Sequence, residues 1–398
     1  MRHHDARDEK ILIVRGGVFR TSVCIFAGVQ RNAPELHYRV RQPEDGLPLC
    51  HSHGFQRSSL TSAAENTMYA KMHAKIHEKA RAPFRWYVSV ALILIACFAL
   101  VACNPPNYPT LPIELKYYAN GPWAVTVALG SQCCDSKNDK FDLYYPSSLT
   151  PPPGGFPILT WGNGTNSLST NYTFFLKHMA SWGFVIIAPQ DKNAGAGQTM
   201  LDGVNFLINA STSNPASIFY HKLNVSQVGS FGHSQGAGGA INALIKSAGT
   251  IKTVMPIELP GQQFCSVPVD CPDTSHLTGG TIFLVDGSLD IPISPPTQPA
   301  SATGLQSIAA YYNAVTPGLI KVKGTLNGPT HCDVQGSPKC TAATVPCLLG
   351  VYGYLGYPTA WMMFQLQNDN YAKGAFINTT GEMFSETQNW QLVASTVP

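Results

Sequence analysis

From residue 123 onward the sequence predicts an α/β fold, with a mostly parallel central sheet flanked by helices. Three observations carry that prediction. Short apolar runs of strand length alternate with segments of helical spacing along the whole region, which is the pattern of a parallel sheet with crossover helices. No internal repeat is present, which argues against a solenoid or propeller. The chain is 44% hydrophobic and only 12% charged, with 35 Gly and 30 Pro, a composition that suits a globular, loop-rich domain on the extracytoplasmic side.

The elements follow in order. "WAVTVAL" (residues 123–129) and "FDLYYP" (141–146) have strand character and are separated by a polar turn. "FPILTW" (156–161) is a short apolar run after "PPPGG", as expected of a buried strand. In "NYTFFLKHMASWG", Phe174, Leu176, Met179 and Trp182 have helical spacing, and Gly183 is a plausible C-cap. "FVIIAP" (184–189) reads as a strand, "MLDGVNFLINA" (200–210) as a helix and "VSQVGSF" (225–231) as a strand. "GAGGAINALIKSA" (236–248) is a small-residue helix, followed by the strands "TVMPIEL" (253–259) and "TIFLVD" (281–286). A helix around "LQSIAAYYNAV" (305–315), the strand "LIKVKGTL" (319–326) and a helix in "GYLGYPTAWMMFQLQ" (353–367) complete the domain.

In open α/β sheets, functional groups collect on loops at the carboxyl ends of strands. At one such end stands "FGHSQGAGG" (231–239), with the string Gly232-His233-Ser234-Gln235-Gly236. The strand running into it and the small-residue helix leaving it give the strand–turn–helix setting of a nucleophile elbow. Glycines on either side of Ser234 are then steric requirements of a tight turn. A phosphate loop is excluded because no Lys-Ser/Thr follows the glycines, and a dinucleotide fingerprint belongs after the first strand.

A serine hydroxyl needs a histidine base oriented by a carboxylate. Only His276 and His331 follow Ser234; His276 precedes its strand, whereas His331 in "NGPTHCD" lies just past one. The acid is Asp290 or Asp286, both in "TIFLVDGSLDIPISP". Asp290 is preferred because it lies further into the loop and can reach His331, while Asp286 ends the strand. The oxyanion hole takes the Gln235 N–H and a second donor from "WGNGTN", for which Asn163 is the candidate, with Gly164 beside it. Trp161 is either an apolar wall of the cleft or a core residue.

Together these stretches resemble the α/β-hydrolases, and among them the cutinase-type polyesterases with their poly(ethylene terephthalate) hydrolase, chlorophyllase and platelet-activating-factor-acetylhydrolase-like relatives. The resemblance spans residues 123–376 and rests on "GFPILTWGNGT", "MASWGFVIIAPQ", "VGSFGHSQGAGGA", "IKTVMPIEL", "VDGSLDIPISP", "GPTHCD" and "AWMMFQLQNDNYAKGAF". It implies an α/β-hydrolase fold with no large lid and a serine esterase mechanism without metal or other cofactor. Its substrates would be small or aliphatic esters, with lipid or polymeric esters as further candidates. Polyester-degrading members usually place an aromatic residue at the position of Asn163 and Met at that of Gln235, so a more polar cleft is expected here. Acyl transfer or lactone hydrolysis by the same triad, and a non-catalytic binding role, are the alternatives.

The front of the chain differs. All ten arginines lie at or before Arg85, whereas from Cys103 onward 12 Lys face 15 Asp plus Glu. The domain therefore lacks the basic footprint of a nucleic-acid partner. Residues 68–103 read as a signal segment, with Lys71, Lys75, Lys79, Arg81 and Arg85 ahead of an apolar run. "LVAC" (100–103) resembles the lipobox of bacterial lipoproteins, which implies lipidation of Cys103 and an exported domain anchored at a membrane. An uncleaved membrane anchor is the alternative. Residues 104–122 are expected to be a tether, residues 123–398 the catalytic domain, and residues 1–67 an over-called or disordered extension ahead of a start at Met68 or Met72. The domain is expected to be a monomer.

Seven cysteines follow Cys103. Exported cysteines are expected to pair. Cys265 with Cys271 is the simplest pair, and Cys332 with Cys340 or Cys347 would tie down the His331 loop. Seven is odd, so one thiol is left over.

Overall fold

The computed structural model describes residues 10–13, 24–27 and 107–398, apart from 266, 302 and 338–346. The expected signal segment and Cys103 lie outside the described residues. The chain divides into two units, Met1–Val88 and Ser89–Pro398. In the first, β1 (Lys10–Ile13) and β2 (Cys24–Ala27) pair antiparallel, a small sheet that the reading of residues 1–67 did not anticipate. No helix among the described residues is long and apolar enough to cross a membrane.

The second unit is built on a nine-stranded sheet. Its strands are β3 (Val125–Cys133), β4 (Lys140–Pro146), β5 (Phe156–Gly162), β6 (Val185–Pro189), β7 (Leu223–His233), β8 (Ile251–Ile257), β9 (Thr281–Gly287), β10 (Lys321–Leu326) and β11 (Trp390–Ser395). Their order is β11-β10-β9-β8-β7-β5-β6-β4-β3. The central strands run parallel, and the antiparallel pairs β3–β4, β4–β6 and β10–β11 lie toward the edges. The expected α/β architecture with a mostly parallel sheet is therefore present. From β5 the chain moves outward to β6 and then returns to the other side of β5 as β7. That reversal opens a crevice at the carboxyl ends of β5 and β7, the position where such sheets place a site.

Strand periodicity divides the core in two. Leu159, Ile186, Met255 and Phe283 point to one face, while Ile158, Ile187, Val254 and Ile282 point to the other. α1 (Pro112–Tyr118), α2 (Thr173–Ser181) and α6 (Gly356–Gln367) cover the first face with Tyr117, Phe175 and Trp361. α3 (Gln198–Thr212) and α4 (Gln235–Lys246) cover the second, with α5 (Ile308–Ala314) beside β9 and β10. The short α7 (Asn370–Lys373) follows α6 and is capped by Asp369.

Three features depart from the sequence reading. The tether expected over residues 104–122 contains α1, which starts with Pro112 and buries Ile113 and Tyr117 four residues apart. The Ile113 and Glu114 amides donate to Glu382 at 2.8 Å, and Trp390 Nε1 donates to Glu114 at 2.7 Å. β11 had no counterpart in the reading, because "WQLVAS" lacks sustained alternation and is exposed on part of its length. Cys265 and Cys271 do pair, and Cys133 pairs with its neighbour Cys134. Cys332, however, is a free, buried thiol. The His331 loop is held instead by Asp333. One Asp333 oxygen accepts the Thr330 amide and hydroxyl at 2.6 Å, and the other accepts the amides of Leu348, Leu349 and Gly350 at 2.9, 2.5 and 2.5 Å.

Candidate active site

β7 ends at His233 and α4 starts at Gln235, so Ser234 is the whole of the turn between them. Its backbone is at φ 55°, ψ −125°, a conformation that costs a non-glycine residue on the order of 1–3 kcal/mol. Its N–H is pinned to the Ile257 carbonyl at 3.0 Å. The flanking glycines are required by contact. A Cβ on Gly232 would sit 2.3 Å from the Gly236 carbonyl oxygen, and one on Gly236 would sit 2.2 Å from that of Gly162.

The three residues singled out after their strands meet here. Ser234 Oγ–H donates to His331 Nε2 at 2.8 Å, and His331 Nδ1–H donates to Asp290 Oδ2 at 2.5 Å. Asp290 is almost fully buried, whereas the ring of His331 is partly exposed toward the cavity. Asp286, the other candidate acid, makes no hydrogen bond to His331. It is buried one strand-end earlier and accepts the Thr325 hydroxyl at 2.8 Å, with burial pushing its pKa well above the ordinary range. Ending β9 aims its carboxyl across the sheet at β10, and the loop beyond the strand is what carries Asp290 to the base.

A second histidine braces the first. His233 Nε2–H donates to the His331 carbonyl at 2.6 Å, which leaves Nδ1 to accept the Tyr172 hydroxyl proton at 2.9 Å. Burial and the neighbouring His331 hold the His233 pKa well below its usual value, so the ring is neutral. The Tyr172 oxygen in turn accepts from Gly164 N–H at 3.1 Å and from Gln335 Nε2 at 3.0 Å. None of Tyr172, His233 and Gln335 was singled out from the sequence. The one local signal was the histidine beside the serine.

Above Ser234 lies a mainly apolar cavity of about 510 Å³, whose walls include Gly164, Thr165, Gln235, Leu259, Phe264 and Asp270. Gly164 and Gln235 therefore line it as expected, but Trp161 and Asn163 do not. Trp161 is fully buried against Tyr172, Phe175 and Phe231. The Asn163 side chain turns inward, accepting from Trp161 Nε1 at 3.0 Å and donating to the Pro189 carbonyl at 2.8 Å. It ties the end of β5 to β6, so the side chain faces the core and not the cleft. The Gly164 amide is committed to Tyr172, whereas the amides of Thr165 and Gln235, which also line the cavity, have no intramolecular acceptor among the described residues. Gln235 Nε2 donates to Asp270 Oδ2 at 3.2 Å, so the side chain expected to make the cleft polar is itself engaged.

Among the described residues, the group that could bind a cation is Glu258, Asp290 and His331, at the carboxyl ends of β8, β9 and β10. Both His331 nitrogens are already in hydrogen bonds, which leaves no ring lone pair for a metal. The arrangement is one that can ionise a serine and hold a developing oxyanion near two free amides. No family model matches the chain.

Proposed function

We propose that this protein is a serine carboxylic-ester hydrolase with the α/β-hydrolase fold. The observation that carries the reading is the continuous Asp290–His331–Ser234 relay, on a strained strand–helix turn beneath an open apolar cavity. Ser234 Oγ attacks the ester carbonyl as His331 Nε2 takes its proton, and Asp290 stabilises the imidazolium that results. The amides of Gln235 and Thr165 hold the tetrahedral oxyanion. Collapse of that intermediate expels the alcohol, which receives the proton from His331. Water, activated by the same imidazole, then releases the acid and restores Ser234.

The cavity suits an ester with a compact acyl or alcohol group of largely apolar character. Short and medium acyl esters are the proposed substrates, acted on by a monomer without cofactor. We further propose export and membrane attachment through a lipidated Cys103, which labelling with a radioactive fatty acid and its loss in Cys103→Ala would test. For the activity, Ser234→Ala is expected to abolish turnover of short-chain p-nitrophenyl esters and labelling by a fluorophosphonate, with the melting temperature preserved. Undiminished turnover in that variant refutes the assignment.

A further inference from the structure

The catalytic acid of the proposed mechanism has a carboxylate neighbour. Glu258 follows β8 directly, is fully buried, and has left-handed backbone at φ 49°. Its N–H donates to the Val285 carbonyl at 2.9 Å, which fixes that conformation. Strain in a bulky residue costs on the order of 1 kcal/mol or more and gathers at functional sites. One carboxyl oxygen, Oε1, accepts the Tyr354 hydroxyl. The other, Oε2, is buried with no donor to satisfy it. One atom each of Glu258, Asp290 and His331 falls within 4.8 Å of the others, which sets the two carboxyls side by side.

Two buried carboxylates this close resist being ionised together unless a cation lies between them. The groups facing Glu258 are Asp290 and Asp286 from the β9 end, Tyr354 from the short 3-10 helix Val351–Tyr354, and His331 and Cys332 from the loop after β10. Lys323 bears on Asp286, and Asp333 on Tyr354. No lysine or arginine reaches the pair among the described residues, so a proton has to serve instead.

Resting on the serine-hydrolase reading above, we propose that Glu258 is a positioning residue, which keeps its proton at neutral pH and donates it from Oε2 to the Asp290 oxygen that His331 does not use. Burial, followed by the charges of Asp290 and Asp286, raises its pKa well above the ordinary carboxylate range. The proton satisfies the orphaned Oε2 and fixes the Asp290 carboxylate in the plane His331 needs. It also leaves a single negative charge behind the imidazole. When Glu258 ionises at high pH, repulsion displaces Asp290 and the relay loses its geometry.

The test combines a spectrum with a pH profile. Glutamine keeps both contacts, accepting from Tyr354 and donating to Asp290. Glu258→Ala is expected to lower kcat/KM about 10- to 100-fold, the loss of one hydrogen bond to a charged group, and Glu258→Gln to recover most of it. The wild-type profile should decline on its alkaline side where Glu258→Gln does not. Independently of turnover, the infrared difference between wild type and Glu258→Gln at neutral pH should contain the carbonyl stretch of a protonated carboxylic acid. Absence of that band, identical alkaline limbs, or a glutamine variant that folds yet is as impaired as alanine would each overturn the proposal. A wild-type protein that shows the band but neither ester turnover nor fluorophosphonate labelling would refute the hydrolase reading alone.

Discussion

Gly236→Ala is the sharpest probe of the elbow, because its consequence follows from three distances. The added Cβ would lie 2.2 Å from Gly162 O, 2.3 Å from Gly162 C and 2.5 Å from Asn163 O. All three atoms are backbone, so no side chain can rotate away. Ordinary carbon contacts begin near 3.4 Å, so the start of α4 and the end of β5 must separate by about 1 Å. Overpacking on this scale costs about 1–3 kcal/mol. A displacement of about 1 Å at a reacting group lowers the rate by about 100-fold. Two controls separate clash from general disturbance. A Cβ on Gly279 meets nothing within 4 Å, and Gly249 has equally open space but a φ of +85°. Gly279→Ala is expected to be neutral, and Gly249→Ala to lose about 1 kcal/mol through backbone strain with turnover unchanged. Thermal unfolding and kcat/KM on p-nitrophenyl butyrate read out all three. A Gly236→Ala protein with wild-type melting temperature and wild-type turnover would show that the elbow is not packed as described.

Three further outcomes are expected. Asp290→Asn should reduce kcat about 10³- to 10⁴-fold through loss of the histidine tautomer, while Asp286→Asn stays within about threefold, since Asp286 accepts from Thr325 and not from His331; equal losses in a kinetic comparison would reverse the assignment of the acid. Burial, with added repulsion from Glu386 and Glu382, pushes the Glu114 carboxyl up to about 8. The folded state then holds a proton that the unfolded chain releases near pH 4.5, so this contribution is full below that pH and is lost as pH rises toward 8. Glu114→Gln should flatten the fall in stability over that window by on the order of a few kcal/mol, as read by denaturant melts at several pH values. Replacing Cys265 and Cys271 by Ser opens a loop of sequence separation 6 that carries Asp270, with Phe264 just ahead of it, on the cavity wall. A stability loss of about 2 kcal/mol and a higher KM with kcat preserved are expected from melts and steady-state kinetics.

The meeting of Ser234, Asp290 and His331 was legible because each follows its own apolar strand in that order, and parallel strands bring their carboxyl ends to one edge. Preferring Asp290 over Asp286 rested on loop reach, and the register of β9 beside β10 explains it, since the strand's last carboxyl points at Thr325. What stayed hidden depends on neighbours distant in sequence. Glu258 looks like an ordinary strand-end acid until β8 and the loop after β9 place it against Asp290. The Asn163 side chain points to the core and Thr165 lines the cavity through the turn of one backbone, which local composition does not encode. α1 was overlooked because a seven-residue helix between prolines and a glycine turn has little periodicity of its own, and its order comes from Glu382 and Trp390 near the other end of the chain.

That early ordering sets a leash length for the proposed membrane attachment. Asn107 already donates to the Asn327 carbonyl at 2.9 Å, and the Tyr108 carbonyl accepts from Asn389. Between Cys103 and the first residue tied to the domain there are thus only four peptide steps, which span at most about 14 Å when fully extended. A lipid on Cys103 would therefore hold the proposed hydrolase domain within about two headgroup layers of the bilayer. On so short a leash the proposed hydrolase would sample a thin slab of solution, and the esters it met most often would be those dissolved near, or embedded in, the same surface.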